Sequence, residues 1–198
     1  MSLAGRLQRA LDSQNGADMP LLTGDHRDWE ADPATPLHQA AVLIAVTDRA
    51  DPGVILTLRT ATLRTHAGQI AFPGGRVDPG DSGPIAAALR EAEEEIGLPS
   101  SAVEVIGIAD RYHTATGFEV IPVIGVIAPD LALVAHPGEV DAVFEVPLNF
   151  LLDDANHGQA SARWQGRDRH YYEILWDDRR IWGATAAMIV NLARRLRW

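Results

Sequence analysis

Residues 74–98 read GGRVDPGDSGPIAAALREAEEEIGL: two glycines, a turn-rich spacer, and an amphipathic run that closes on Gly97. Asp81, Ser82 or Gly83 can cap a helix, Pro84 suits its first turn, and Gly97 followed by Pro99 ends it. The spacing therefore predicts a helix over Pro84 to Ile96. At about 100° per residue, Ile85, Ala88, Leu89, Ala92 and Ile96 make one apolar arc, while Glu91, Glu94 and Glu95 gather on a separate side. Like charges at i,i+3 and i,i+4 repel by roughly 0.2–0.5 kcal/mol per pair, and only Arg90 is close enough in sequence to offset them. A divalent cation would reverse that sign, and hard oxygen ligands on a rigid helix suit Mg²⁺ or Mn²⁺. A bare acidic run is more often a solvated helix face. Here Arg90, Gly97, the Pro73-Gly74-Gly75 turn and the strand-like runs around it favour a metal site.

Immediately upstream, residues 56–75 read LTLRTATLRTHAGQIAFPGG. A strand at Val54 to Arg59 hands over to a basic, glycine-containing loop from Thr60 to Gly75. In that loop Arg59, Arg64 and His66 are available to meet anionic groups, as a multiply phosphorylated ligand would require. Surface charge balance is the alternative for Arg59 and Arg64, and loop packing for His66 and Gln69. Gly74 and Gly75 read as a turn that brings backbone carbonyls near a metal, because glycine tolerates strained dihedrals and close approach.

The helix stretch resembles the Nudix box, G-x5-E-x7-R-E-U-x-E-E-x-G-U with U aliphatic, which marks hydrolases that split a diphosphate linked to a nucleoside or similar moiety. Gly75 opens it, Asp81 stands at the first Glu position, eight residues instead of seven separate Asp81 from Arg90, and Arg90 to Leu98 match. The upstream block is similar to the extra motif of the coenzyme A pyrophosphatase branch, whose members tend to carry an Asp and the longer spacer. The resemblance covers roughly Val42 to Leu152. It implies an α/β fold, the Nudix-type α/β/α sandwich with a mixed β-sheet, and metal-dependent cleavage of coenzyme A or its derivatives. On this reading Glu91 and Glu95 are metal ligands, and Glu94 is a third ligand or a catalytic partner. Arg90 orients these carboxylates, and Arg59, Arg64, His66 and Gln69 bind substrate. Such enzymes often take their general base from a glutamate outside the box. Glu139, in the turn-forming run Ala135-His136-Pro137-Gly138-Glu139, is the first choice, with Asp141 and Glu145 as alternatives. Cleavage of ADP-ribose or nucleoside triphosphates, and a non-catalytic Nudix-fold binding module, are the competing readings.

Composition narrows the field. A chain of 198 residues with 46% hydrophobic content supplies the core of one domain. The net charge of −10, from 17 basic and 27 acidic residues, argues against nucleic-acid and membrane partners, since both bindings rest on concentrated positive charge. A small-molecule substrate is expected, with room for a homodimer. Cysteine is absent, which excludes thiol catalysis, disulfides and cysteine-ligated zinc. No apolar run approaches the ~20 residues of a membrane span, so a cytoplasmic protein is expected.

Leu3, Leu7 and Leu11 have helical spacing, and residues 12–36 are rich in Gly, Asp and Pro, which divides the chain into an N-terminal helix and irregular arm (1–36) and a main domain (37–198). Strands are predicted at Ala40 to Val46, Val54 to Leu58, Val103 to Ile108, Val120 to Ile127 and Val143 to Val146. Helices are predicted at Ala184 to Arg197 and, briefly, Leu148 to Leu152. Tyr171 to Trp176 and Arg180 to Trp182 read as a β-hairpin turning through residues 177–179. Trp164, Tyr171, Tyr172, Trp176 and Trp182 read as a cover over the sheet end, with stacking on an adenine as the alternative.

Overall fold

Residues 38–47, HQAAVLIAVT, alternate so that Ala41, Leu43 and Ala45 face one side of a sheet while Ile44 and Val46 face the other, and both sets are buried. A strand buried on both faces needs a layer over each. The computed structural model, which describes residues 2–12, 21–22, 37–62, 66–164 and 167–196, supplies both. In chain order its elements are α1 (Leu3–Asp12), β1 (His38–Thr47), β2 (Gly53–Arg59), β3 (Ile70–Ala71), β4 (Gly74–Arg76) and α2 (Pro84–Ile96). They continue with β5 (Val103–Ile108), β6 (Tyr112–His113), β7 (Phe118–Ile127), β8 (Val140–Pro147) and α3 (Leu148–Leu152). The last are β9 (Gly158–Trp164), β10 (Arg167–Trp176), β11 (Arg179–Trp182) and α4 (Ala184–Arg195).

The main sheet runs β3-β2-β1-β7-β5, with β4 on β1, β6 on β7 and β8 on β2. It is mixed: β1 and β7 lie parallel from His38↔Phe118 to Thr47↔Ile127, and the other pairings are antiparallel. Helix α2 covers one face, packing Ala87, Ala88, Ala92 and Ile96 on Ala41, Leu43, Ala45 and Val123. The other face is covered by α1, α3, α4 and the separate antiparallel sheet β11-β10-β9, through Leu7, Leu151, Ile174, Ile181 and Ile189. This is a three-layer α/β/α arrangement around a mixed sheet.

Four short or polar strands were not legible. Strands β3, β4 and β6 have two or three residues, too few to show a period of two, and β9 (GQASARW) lacks the apolar alternation of a half-buried strand. The C-terminal hairpin is present, but its register Trp176↔Arg179 shortens the turn to Asp177-Asp178, with Asp177 in the left-handed region at φ 52°. Helix α4 stops at Arg195. Nearly all of the expected arm lies outside the described residues. Leu22 is fastened to α4, where Asn191, 2% exposed, accepts from the Leu22 N–H and donates to its carbonyl, both at 2.8 Å.

Candidate active site

The helix α2 ends where its sequence says. Gly97 adopts φ 65°, its N–H bonds the Glu93 carbonyl (3.0 Å), and the Leu98 N–H reaches back to Ala92 (3.3 Å), with Leu98 fully buried as the closing apolar contact. At the start, the cap is the third of the three candidates the sequence offers. Gly83, at φ 143°, is the capping residue and no side chain caps the helix; Asp81 is used elsewhere.

The apolar arc departs from expectation. Ile85 is 37% exposed, Ala87 is buried, and Glu95 is only 2% exposed. Glu91 is half-buried in the same packed strip and Glu94 stands exposed at its rim. The acidic residues are therefore not on a side wholly separate from the buried strip. The cause lies across the interface, where α2 packs on β1 and β4 and β4 presents glycines. A Cβ placed on Gly75 would lie 2.5 Å from Cδ of Glu91 and 2.6 Å from both of its carboxylate oxygens. At Gly74, φ 154° and the closeness of the Ala41 carbonyl exclude a side chain outright. The two glycines read as a turn are strand β4, paired Ala41↔Gly75 and Val42↔Gly74, and the Gly74 N–H points into the site.

Glu95 is the most constrained of these side chains. Its Oε2 accepts from the Gly74 N–H (3.1 Å) and its Oε1 from Nη1 of Arg59 (3.2 Å). Burial pushes its carboxyl up to about 7, and the charges of Glu91 and Glu139 push the same way against the pull of Gly74 and Arg59. Burial likewise raises Glu91, helped by Glu94 and Glu139 and opposed by Arg90. That mutual influence places Glu91, Glu94, Glu95 and Glu139 in one electrostatic neighbourhood.

Arg90 gathers the outer members. Its Nη1 donates to Oε1 of Glu91 (2.9 Å) and Oε2 of Glu94 (3.0 Å), its Nε and Nη2 grip both oxygens of Asp81 (3.0 and 3.1 Å), and Nη2 also meets the Arg76 carbonyl (3.1 Å). Asp81, which also accepts from the Asp78 N–H, is held below the usual carboxylate range chiefly by Arg90, and Arg90 is raised in turn chiefly by Asp81. Asp81 thus serves as the fork that clamps Arg90 over the helix.

Two backbone segments close around this group. Residues 131–139 are laced to the end of α2 by Val134 N–H to Ile96 carbonyl (2.9 Å) and His136 N–H to Glu95 carbonyl (2.8 Å). The exposed Glu139 sits at the exit of that segment, its carbonyl accepting from the N–H of Thr60 (3.0 Å). Thr60, 3% exposed, was not singled out in the sequence, where nothing distinguishes it from the threonines beside it. The upstream loop meets the same point: Arg59 N–H bonds the Gln69 carbonyl (2.9 Å), Gly68 N–H bonds the Arg59 carbonyl (3.1 Å), and His66 Nδ1 lies 2.9 Å from Oε1 of Gln69. Arg64 lies outside the described residues.

Of the alternative bases, Asp141 lies at the same junction and Glu145 farther along the strand. Asp141 is the extra residue of a bulge where Leu58 pairs Ala142 and Arg59 pairs Val140, and its side chain is exposed. Glu145 pairs Ile55, roughly 13 Å along the strand from Arg59 at ~3.3 Å per residue, and is bonded to Arg49 and to the Thr47 hydroxyl (2.7 Å). Among the described aromatic side chains of the C-terminal quarter, Trp176 stacks on Phe144 at 6.1 Å, while Tyr171 and Trp182 meet at 5.6 Å on the outer sheet.

The donor set fits a small, hard divalent cation. Among the described residues no three His, Asp or Glu side chains form a closed metal-holding group. Mg²⁺ asks for less, since it keeps waters and binds through one or two carboxylates plus substrate phosphates. Two such carboxylates stand together here: Glu91, against the Gly75 backbone that leaves no room for a Cβ, and Glu95, bonded to the Gly74 N–H.

The chain is similar to known proteins over most of its length. The family described as NUDIX domain matches residues 37–166. A relative named uncharacterized Nudix hydrolase NudL from Escherichia coli (strain K12 / DH10B) is 48% identical over 159 residues, spanning 80% of this chain and 82% of the relative. One of the same name from Cronobacter sakazakii is 46% identical over 166 residues with the same coverage. Among solved structures, the Nudix hydrolase RenU from M. smegmatis is 26% identical, with a TM-score of 0.49 over 58% of this chain and 73% of that one.

Proposed function

The chain belongs to the Nudix hydrolase family, whose members generally use divalent metal cations, and we propose that it cleaves the diphosphate of coenzyme A or an acylated or oxidised derivative. The products are adenosine 3′,5′-bisphosphate and 4′-phosphopantetheine or its derivative. The observation that carries this reading is convergence. The 56–75 block, which resembles the coenzyme A motif, closes on the α2 carboxylates through Arg59–Glu95, Gly74–Glu95 and Gly68–Arg59. A ligand bound by that loop has its diphosphate within reach of the carboxylates.

Glu91 and Glu95 would hold Mg²⁺ or Mn²⁺, with Glu94 beside them, and the cation would neutralise diphosphate oxygens and stabilise the phosphate that leaves. Arg90 keeps Glu91 and Glu94 from splaying apart through its grip on both. In the reaction water attacks one phosphorus, the bridging P–O bond breaks, and the proton passes to a base. Glu139 is assigned that role, supported by its loop exit tied to Thr60 and by the influence of its charge on Glu91 and Glu95. Arg64, His66 and Gln69 are assigned to the substrate.

Product analysis on CoA, dephospho-CoA, ADP-ribose, NADH and nucleoside triphosphates tests the proposal. A charge-assisted contact to the 3′-phosphate is worth ~1.5–3 kcal/mol, so CoA should exceed dephospho-CoA by roughly 10- to 150-fold in kcat/KM. Equal efficiencies, or a preference for ADP-ribose, would sink it.

A further inference from the structure

Arg59 stands in the block expected to bind substrate phosphate, yet its guanidinium is turned inward. Its Nη1 donates to Oε1 of Glu95, and its Nε is buried without a hydrogen-bond partner. Among the described residues, Arg59 makes the ion pair to Glu95, and the other carboxylate oxygen is taken by the Gly74 N–H. The carboxylate is thus fixed from both sides, one clamp from β2 and one from β4. Surface charge balance does not describe a guanidinium whose partner carboxylate is 2% exposed.

The backbone at the same point joins the three pieces of the site. Arg59 exchanges hydrogen bonds with Gln69 and Gly68 of the upstream loop, and the next residue, Thr60, bonds the carbonyl of Glu139. The bulge opposite Arg59 marks where the β2–β8 ladder gives way to these contacts. A side chain leaving the main chain at this junction reaches the helix carboxylate instead of solvent.

We infer that Arg59 is a positioning residue: it aims the Glu95 carboxylate and ties the upstream loop and the Glu139 segment to it, and it does not read the substrate. This rests on Glu95 being a metal ligand, and is independent of which diphosphate is cleaved. Groups that orient a ligand typically change metal affinity or activity 10- to 100-fold when removed. Lysine restores the charge but not the planar fork, so it should recover only part.

Binding of Mn²⁺ to the substrate-free protein, followed by electron paramagnetic resonance of the unbound ion, gives a readout apart from turnover. Arg59→Gln should weaken Mn²⁺ binding by roughly 10-fold or more, and Arg59→Lys should fall between Arg59→Gln and wild type. At saturating metal, the KM for CoA and the ratio of CoA to dephospho-CoA efficiencies should stay at wild-type values in both variants. Unchanged Mn²⁺ affinity with a raised KM and a collapsed ratio overturns the inference and makes Arg59 a substrate reader. Tighter Mn²⁺ binding in Arg59→Gln also overturns it, since the arginine would then act only by repelling the cation. Glu95→Gln is the control: unchanged Mn²⁺ affinity there removes the premise that Glu95 is a ligand and leaves the substrate proposal standing. Should Arg59→Gln fail to fold, Arg59→Lys decides by the same two measurements.

Discussion

Strand β2 holds an arginine–glutamate pair near each end, and each glutamate lies against backbone. At one end Arg59 meets Glu95, with side chains 22% and 2% exposed; at the other Arg49 meets Glu145, at 40% and 29%. The chemistry is the same and the burial is not. A pair in contact with water is worth about 0–1 kcal/mol, whereas breaking a buried one typically costs about 3–5 kcal/mol because the remaining charge has no solvent to turn to. At the buried end the carboxylate has its proton affinity raised toward neutrality, so that end changes markedly when a cation arrives. Nearness to α2 decides which end becomes a site.

The strongest way to break this contrast uses the two glutamates near opposite ends of β8, Glu139 just before it and Glu145 within it. Glu139→Gln should cut kcat by roughly 10²- to 10⁴-fold, the range of general-base catalysis, with Mg²⁺ dependence and KM largely unchanged. Glu145→Gln should stay near wild type in the same steady-state measurement. A reversal of the two results would move the base to the far end of the strand. Next in size are the helix carboxylates: Glu91→Gln or Glu95→Gln should lower turnover at least about 100-fold at saturating Mg²⁺, while circular dichroism shows a folded chain. A well-folded variant of either kind with wild-type turnover would remove it from the ligand set.

Stability against pH sharpens the comparison without any substrate. The Glu95 carboxyl lies at about 7 in the folded chain against an ordinary value of 4.5, so the folded state holds a proton that the unfolded state has released. Its contribution is present in full below about 4.5 and is lost as pH rises through about 7. Chelator-treated protein should therefore lose roughly 1–3 kcal/mol of stability over that interval, read as a falling Tm. Added Mg²⁺ should restore it, and Glu95→Gln should flatten the slope. A metal-free Tm that rises across the interval in wild type and Glu95→Gln alike would show that Glu95 does not govern it. The smallest effect belongs to the exposed pair. Glu145→Gln should cost no more than about 1 kcal/mol, or roughly 2–4 °C in a chain of this size; a larger loss by thermal denaturation would mean that the two ends are alike.

Much was readable beforehand because the signals are local. Pro84 and Gly97 bound α2 through their own backbone preferences, and the runs that became β1, β2, β5, β7 and β8 carry enough β-branched and apolar residues to show their period. The carboxylates at 91, 94 and 95, with Arg90 beside them, follow from helical geometry alone.

Partner choice was not readable. That Asp81 clamps Arg90 instead of capping α2, that Gly74 and Gly75 form a strand, that Glu95 is buried and that Arg59 faces it all depend on segments far apart in the chain. Periodicity specifies which face of an element is apolar, but not how closely another backbone approaches it. That closeness, set where two glycines let β4 lie against α2, turned an acidic helix face into one buried and one half-buried carboxylate with assigned counter-charges.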